Sequence, residues 1–290
     1  MKNILTLVIT FLLFNSIYGQ YMTKGTIEEL QKKKLLVITD PDEKSMEKLA
    51  KDPEALKVFL ADNETEHAYL KEAMLKYWTI NKDISFVSRD QAKEKMKENK
   101  DAYAVMSLVR VRQEYTHNFT GFSDYYYYTS IVIAFPTINK NKVFGNLPSG
   151  EVSKASYYAG IRFLENYMQT WLDGSIYQLG SHDNLMKIKE GKLLLNSAFC
   201  DKKTNQDIVN ELYPYNAVLV EKEEIDKAIL EEQDVFYIFK SPVMGMKENV
   251  KLHYFVNAKT GKIYAGKDSG EGLDLNAKVL KLYNTIVNKK

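Results

Sequence analysis

Residues 135–151 read Phe135-Pro-Thr-Ile-Asn-Lys-Asn-Lys142-Val-Phe-Gly-Asn-Leu-Pro-Ser149-Gly150-Glu151, and they recur without a gap as residues 255–271. The second stretch reads Phe255-Val-Asn-Ala-Lys-Thr-Gly-Lys262-Ile-Tyr-Ala-Gly-Lys-Asp-Ser269-Gly270-Glu271. Five positions are identical at one offset of 120, and Val143/Ile263 and Phe144/Tyr264 are near matches. Each stretch reads as the end of a strand, a polar turn, a second strand and a Ser-Gly-Glu lead into a helix. Outward from it, Phe86–Val105 matches Leu219–Ile238 at an offset of 133, with Asp101 and Asp234 before an aromatic-apolar strand. Order, spacing and identities agree, so the chain reads as two diverged copies of one unit.

The first copy opens on the apolar strand Leu35–Thr39, closed by Asp40-Pro41, followed by a helix from about Pro53 to Trp78 with one apolar face. A strand over Ile84–Val87 leads to a charged helix capped by Ser88 or Asp90. Strands over Tyr103–Val111, Tyr125–Phe135 and Lys142–Gly145 follow, then a helix over Glu151–Trp171. The second copy repeats the order with strands at Leu193–Leu195, Ala217–Val220, Val235–Lys240, Val250–Asn257 and Lys262–Ala265. Its helices cover Thr204–Leu212, Glu221–Glu231 and Leu273–Val287. The expected fold class is α/β (α+β): two tandem units, each strand-helix-strand-helix-strand-strand-strand-helix. A parallel crossover start and an antiparallel meander make each sheet mixed, with helices packed on it. The units are expected at 20–175 and 176–290, with a linker at about 172–190.

The N-terminus is Met1-Lys2-Asn3, an apolar run Ile4–Phe14, then Asn15-Ser16-Ile17-Tyr18-Gly19-Gln20. A positive start, a short apolar stretch and a small residue before a polar one predict a secretory signal over 1–19, cut after Gly19. No Cys stands at the cut to carry a lipid, and no later segment is apolar enough to span a bilayer. The formal charge of +2 with interleaved Lys and Glu leaves no electrostatic footprint for nucleic acid. The single Cys200 excludes an intramolecular disulfide and reads as a buried, inert thiol.

Each unit resembles a domain seen repeatedly in bacterial envelope proteins, among them the N-terminal domain of the Tol-system propeller protein and the periplasmic domain of the curli-secretion lipoprotein. The residues that carry this are Phe86-Val87-Ser88-Arg89 and Phe255-Val-Asn-Ala-Lys-Thr260-Gly261-Lys-Ile263, with Lys140-Asn141 replacing Thr-Gly in the first copy. The composition also resembles exported proteins of the Bacteroidetes.

Glu64, Glu66, His67 and Glu72 lie close on the long helix, but adjacent Glu66 and His67 point apart and no second His follows at i+4. They read as a solvated face. His117 and His182 fall in expected loops and His253 in a strand, and no HExxH, CxxC, GxSxG or phosphate-loop pattern occurs. No metal or cofactor is expected. The run Tyr125-Tyr126-Tyr127-Tyr128 with Phe122 is the most unusual local feature. On a strand, two of the four rings face away from the core, a pattern suited to stacking on glycan or anchoring a protein. The expected function is a soluble periplasmic or secreted binding or scaffold protein of the Gram-negative envelope, with an envelope protein or glycan as partner. The alternative is a hydrolase with a site in an interdomain groove near 172–190, and self-association through sheet edges is a third.

Overall fold

The computed structural model describes residues 23–41, 43–116, 123–135, 142–147, 153–242, 251–269 and 275–289. The first unit contains α1 (Lys24–Gln31), β1 (Lys34–Ile38), α2 (Glu43–Leu49), α3 (Pro53–Tyr77), β2 (Ile84–Val87), α4 (Arg89–Glu98), β3 (Tyr103–Thr116), β4 (Ser123–Ala134), β5 (Lys142–Asn146) and α5 (Lys154–Leu172). The second contains α6 (His182–Glu190), β6 (Leu193–Asn196), α7 (Gln206–Leu212), β7 (Ala217–Val220), α8 (Lys222–Leu230), β8 (Phe236–Pro242), β9 (Lys251–Asn257), β10 (Ile263–Ser269) and α9 (Ala277–Val287). Ser88 caps α4 through a reciprocal box with Gln91, which decides between the two expected caps.

Both sheets have the same order, β2-β1-β3-β4-β5 and β7-β6-β8-β9-β10. The first three strands of each unit are parallel and the last three run as an antiparallel meander. The fold is therefore α/β with two mixed sheets. Ladder register also corrects the sequence alignment. Leu35 pairs with Ala104 and Leu193 with Phe236, so Ala104 and Phe236 are counterparts, one residue off the offset of 133. Ile133 pairs with Val143 and Phe255 with Ala265, two residues off the offset of 120, and β10 carries a bulge between Ile263 and Ala265.

Three helices depart from expectation. α1 precedes β1, and its counterpart α6 occupies the segment expected as linker, so 172–190 is a structured entry to the second sheet. Each is anchored by two buried apolar residues, Ile27 and Leu30 in α1, Leu185 and Ile188 in α6. The turn helix α2 has no counterpart in the second unit.

The core explains how the units join. One face of the first sheet, with Leu35, Val37, Ala104, Met106, Ile131 and Ile133, packs under α1, α3 and α5. Its other face buries Leu36, Ile38 and Val87 against Ala92 of α4. In the second sheet Leu193, Leu195, Phe236 and Phe255 pack under α6, α7 and α9. The opposite face, with Leu194, Tyr237, Phe239 and Val256, packs on α8 and also on α5 of the first unit, so one core runs through both. Helix α5 is suited to this shared position because Tyr157, Tyr158, Ile161, Leu164 and Met168, with small Ala155, Ala159 and Gly160, leave it buried nearly all round.

Polar groups pin the same seam. Arg162 Nη1 donates to Ala258 O at 2.7 Å and Nη2 to Lys259 O, while the guanidinium lies 4.7 Å from the Tyr77 ring centre. Glu232, whose φ of 53° is in the left-handed region, accepts from Tyr77 Oη at 2.9 Å and from Lys76 Nζ at 2.9 Å.

Candidate functional site

The tyrosine run lies in β4, where Tyr125, Tyr126, Tyr127 and Tyr128 stand opposite Glu114, Gln113, Arg112 and Val111 of β3; Phe122 lies outside the described residues. β1 pairs with β3 only as far as Met106, and β5 with β4 only from Ser130. Beyond those points, among the described residues, β3 and β4 pair only with each other, so all four tyrosines sit in a two-stranded ribbon.

The carboxylates and histidine of α3 are not a solvated face throughout. Glu66 and His67 are buried, and His67 Nδ1 lies 2.8 Å from Asn63 O one turn back. Burial lowers the His67 pKa below its usual value, partly offset by the Asn63 carbonyl and by Glu66 and Asp40. Glu72 reaches across to the N-terminal turn of α5, accepting from Tyr158 Oη at 2.5 Å and Lys154 Nζ at 2.6 Å. His182 begins α6 and is not in a loop. His253 is fully buried with Nδ1 2.9 Å from Tyr283 Oη. Cys200 is half-buried, and burial pushes its thiol up from the usual value. Among the described residues, no three His, Cys, Asp or Glu side chains group to hold a metal ion.

Along the second half of α5, leading into 172–190, aromatic rings close the seam. Phe163 stacks on Phe239 at 4.2 Å and on Tyr167 at 5.9 Å, and Tyr254 tilts against both Phe163 and Tyr167. The polar opening lies at the other end of α5. A cavity of about 90 Å³ there stands at the carboxyl ends of β6 and β8, between α8, the first turns of α5, and Leu275 and Tyr283 of the C-terminal segment.

The topology creates this crevice. From β6 the chain passes through α7 on one face to β7, then returns through α8 on the other face to β8 on the far side of β6. Connections leaving in opposite directions open a gap beyond the strand ends, where open α/β sheets bind ligands. Its walls are apolar, with Leu194, Ile225, Ile229 and Tyr237 among them. Its polar groups include Ser156 of α5, Asn196 at the end of β6, Lys240 on β8, and Lys222 and Asp226 of α8. Lys222 Nζ lies 2.5 Å from Asp226 Oδ2, which also accepts from Ser153 Oγ at 2.9 Å, so these two charges satisfy each other. Lys240 is 8 % exposed, and its Nζ stands 5.1 Å from the Phe199 ring centre. Burial raises the phenol pKa of Tyr237 and of Tyr283, so both stay protonated and neutral.

No sequence motif marks this site. Asn196, Lys222 and Lys240 belong to three separate elements, and only the switch in strand order brings them together. The chain matches no protein-family model, no curated protein and no solved structure.

Proposed function

We propose that the chain is an exported binding or scaffold protein of the bacterial envelope, whose second unit takes a small molecule in the crevice beyond β6 and β8. The observation that carries this reading is the crevice itself, a concavity with largely apolar walls into which Ser156, Asn196 and Lys240 bring polar groups. A few polar groups in an apolar concavity is the composition of small-molecule sites. Export is supported by Lys2, the apolar run Ile4–Phe14 and the Gly19-Gln20 junction. The likeness of each unit to envelope domains points the same way. Among the described residues, no helix is long and apolar enough to cross a membrane.

Two experiments test the two halves of the reading. Expressed with its own N-terminus in a Gram-negative host, the chain should be recovered from the periplasm beginning at Gln20. Recovery only from the cytoplasm with Met1 intact would overturn export. Incubated with a small-molecule extract of cell envelopes and examined by native mass spectrometry, the mature chain should retain a small adduct that Lys240→Met loses. A wild-type chain that retains nothing would remove the crevice as a binding site.

A further inference from the structure

The two units treat the same edge of the sheet in opposite ways. β2 and β7 are counterparts, since Leu35 pairs with Ile84 and Leu193 with Ala217, and both are edge strands. Asn216 O accepts from Leu193 N–H at 2.8 Å, so the next residues in alternation, Ala217 and Leu219, turn their backbone groups outward. The side-chain amide of Gln206 covers them. Its Nε2 donates to Ala217 O and its Oε1 accepts from Leu219 N–H, both at 2.9 Å, as a neighbouring strand would. In β2, Asp83 O and Val87 O accept from Leu35 and Thr39 at 2.9 and 3.1 Å, so Ile84 and Phe86 face outward. Among the described residues, no group does for Ile84 O and Phe86 N–H what Gln206 does for their counterparts. An open edge of this kind is a template for another strand. Beside it lies a groove of about 430 Å³, lined by Phe86 and by Leu60, Glu64, Ala68 and Lys71 of α3. Lys71 Nζ stands 5.5 Å from the Phe86 ring centre, which places this side of α3 over the edge. With Leu75, which is 68 % exposed, these four residues make one exposed stripe at helical spacing.

We propose that this face pairs with a second copy of the chain about a two-fold axis, β2 antiparallel to β2 and α3 beside α3. It concerns the first unit and does not rest on the crevice. The stripe is self-complementary. Leu60 and Leu75 stand equally far from the midpoint between His67 and Ala68, and so do Glu64 and Lys71. Two antiparallel copies of the helix meeting at that midpoint set leucine against leucine and each Glu64 against Lys71 of the partner subunit. The small Ala68 sits where the helices come closest. A two-fold contact requires such a self-matching patch, and a foreign strand would have no reason to find one. In the sheet, with Ser85 on the axis, Ile84 exchanges both backbone hydrogen bonds with Phe86 of the partner subunit, which joins two five-stranded sheets into one. The layers agree in spacing. α3 packs over β1 and β2, so strands about 4.8 Å apart set the two helices roughly 10 Å apart, near the usual distance of packed helices.

Sedimentation equilibrium of the chain from Gln20 onward should show a monomer–dimer equilibrium. Glu64→Lys alone and Lys71→Glu alone each set like charges face to face twice in the dimer, and each should weaken it about tenfold. The double variant Glu64→Lys with Lys71→Glu restores opposite charges and should recover most of the loss, an outcome that misfolding cannot give. Ser85 on the axis forms a non-hydrogen-bonded pair, whose Cα separation of about 4.5 Å a disulfide can span. Ser85→Cys should therefore cross-link into a dimer on mild oxidation. Val218→Cys, at the counterpart position on the covered edge, should not. A chain that stays monomeric, or a dimer indifferent to both charge changes, would overturn the proposal. So would protection of the Ile84 and Phe86 amides from hydrogen exchange only after an envelope extract is added, which would give the edge to a foreign peptide.

Discussion

Arg162 is 5 % exposed, and its guanidinium meets three groups: the carbonyls of Ala258 and Lys259 after β9, and the face of Tyr77 at the end of α3. A planar fork spreads its donors to two carbonyls while its flat face lies against a ring, a geometry that a compact ammonium does not reproduce. Arg162→Lys should therefore destabilise the protein by about 2–3 kcal/mol, the cost of leaving buried acceptors under-satisfied. Urea unfolding with an unchanged denaturant dependence would show this, and a loss below about 0.5 kcal/mol would mean solvent or neighbours replace the fork. Next to it, Gly261 adopts φ 67°, and a Cβ there would come within 3.0 Å of Arg162 Cβ and 2.9 Å of Asn166 Nδ2, so the same residue also dictates the turn. His67 gives a pH prediction. Burial holds its folded pKa below the usual 6.5, so the unfolded chain takes up the proton first. The stability that His67 contributes is whole above pH 6.5 and is lost as the pH falls below it. The fall in urea midpoint between pH 7.5 and 5.5 should be larger for wild type than for His67→Gln. Equal falls would show that the buried imidazole carries no proton-linked cost.

Among the elements, the strands were the most legible because short apolar runs bounded by turn residues leave little freedom of placement. Ile84–Val87 and Ala217–Val220 fall where the residues place them. β3 runs on past Val111 to Thr116 because a ladder is made by backbone groups and continues through the polar residues Arg112, Gln113 and Glu114. Helices α1 and α6 were hidden because each shows only two buried apolar positions, too few to set a period. A signal was present: Lys34-Leu35-Leu36 repeats as Lys192-Leu193-Leu194, with Ile27 and Leu30 matched by Leu185 and Ile188. The crevice was not legible, since the spacing of Asn196 and Lys240 has no meaning until β6 and β8 lie side by side. The tyrosine ribbon stands between these cases, its strand visible and its isolation from β1 and β5 visible only in the ladders. Two-stranded ribbons contribute little to global stability. Tyr125→Ser with Tyr127→Ser should change unfolding free energy by no more than ~0.5 kcal/mol while, on the proposed envelope function, reducing capture of proteins from an envelope extract by the chain from Gln20 onward. A large loss of stability would assign the rings to the core, and unchanged capture would remove them as an interaction surface.

At the scale of the molecule, the decisive fact is that α5 lies in the one core that runs through both units. It closes the first unit over Met106, Ile131 and Ile133, and its Phe163 stacks on Phe239 of the second sheet. Cutting the chain between the units would bare that side of α5, and on the other part Tyr237, Phe239, Val256 and Ile263. Contiguous apolar patches of this kind drive association in monomeric proteins. The two units are therefore joined through one core. The second copy uses the face that α8 leaves open to seat a helix of the first, and the Arg162 and Glu232 contacts fix the register between them. The chain from Gln20 onward should unfold in one calorimetric transition, with calorimetric and van't Hoff enthalpies equal. A protease site inserted at Gly174-Ser175, where Gly174 already turns at φ 78°, should yield two fragments that still co-elute on gel filtration after cleavage. Two resolved transitions, or fragments that separate as soluble monomers, would mean that each copy closes its own core. The crevice would then lack its Ser156 and Ala159 wall in the isolated second unit, so the same cleavage experiment, repeated with the envelope extract on the separated fragment, measures how far retention of an adduct depends on the first unit.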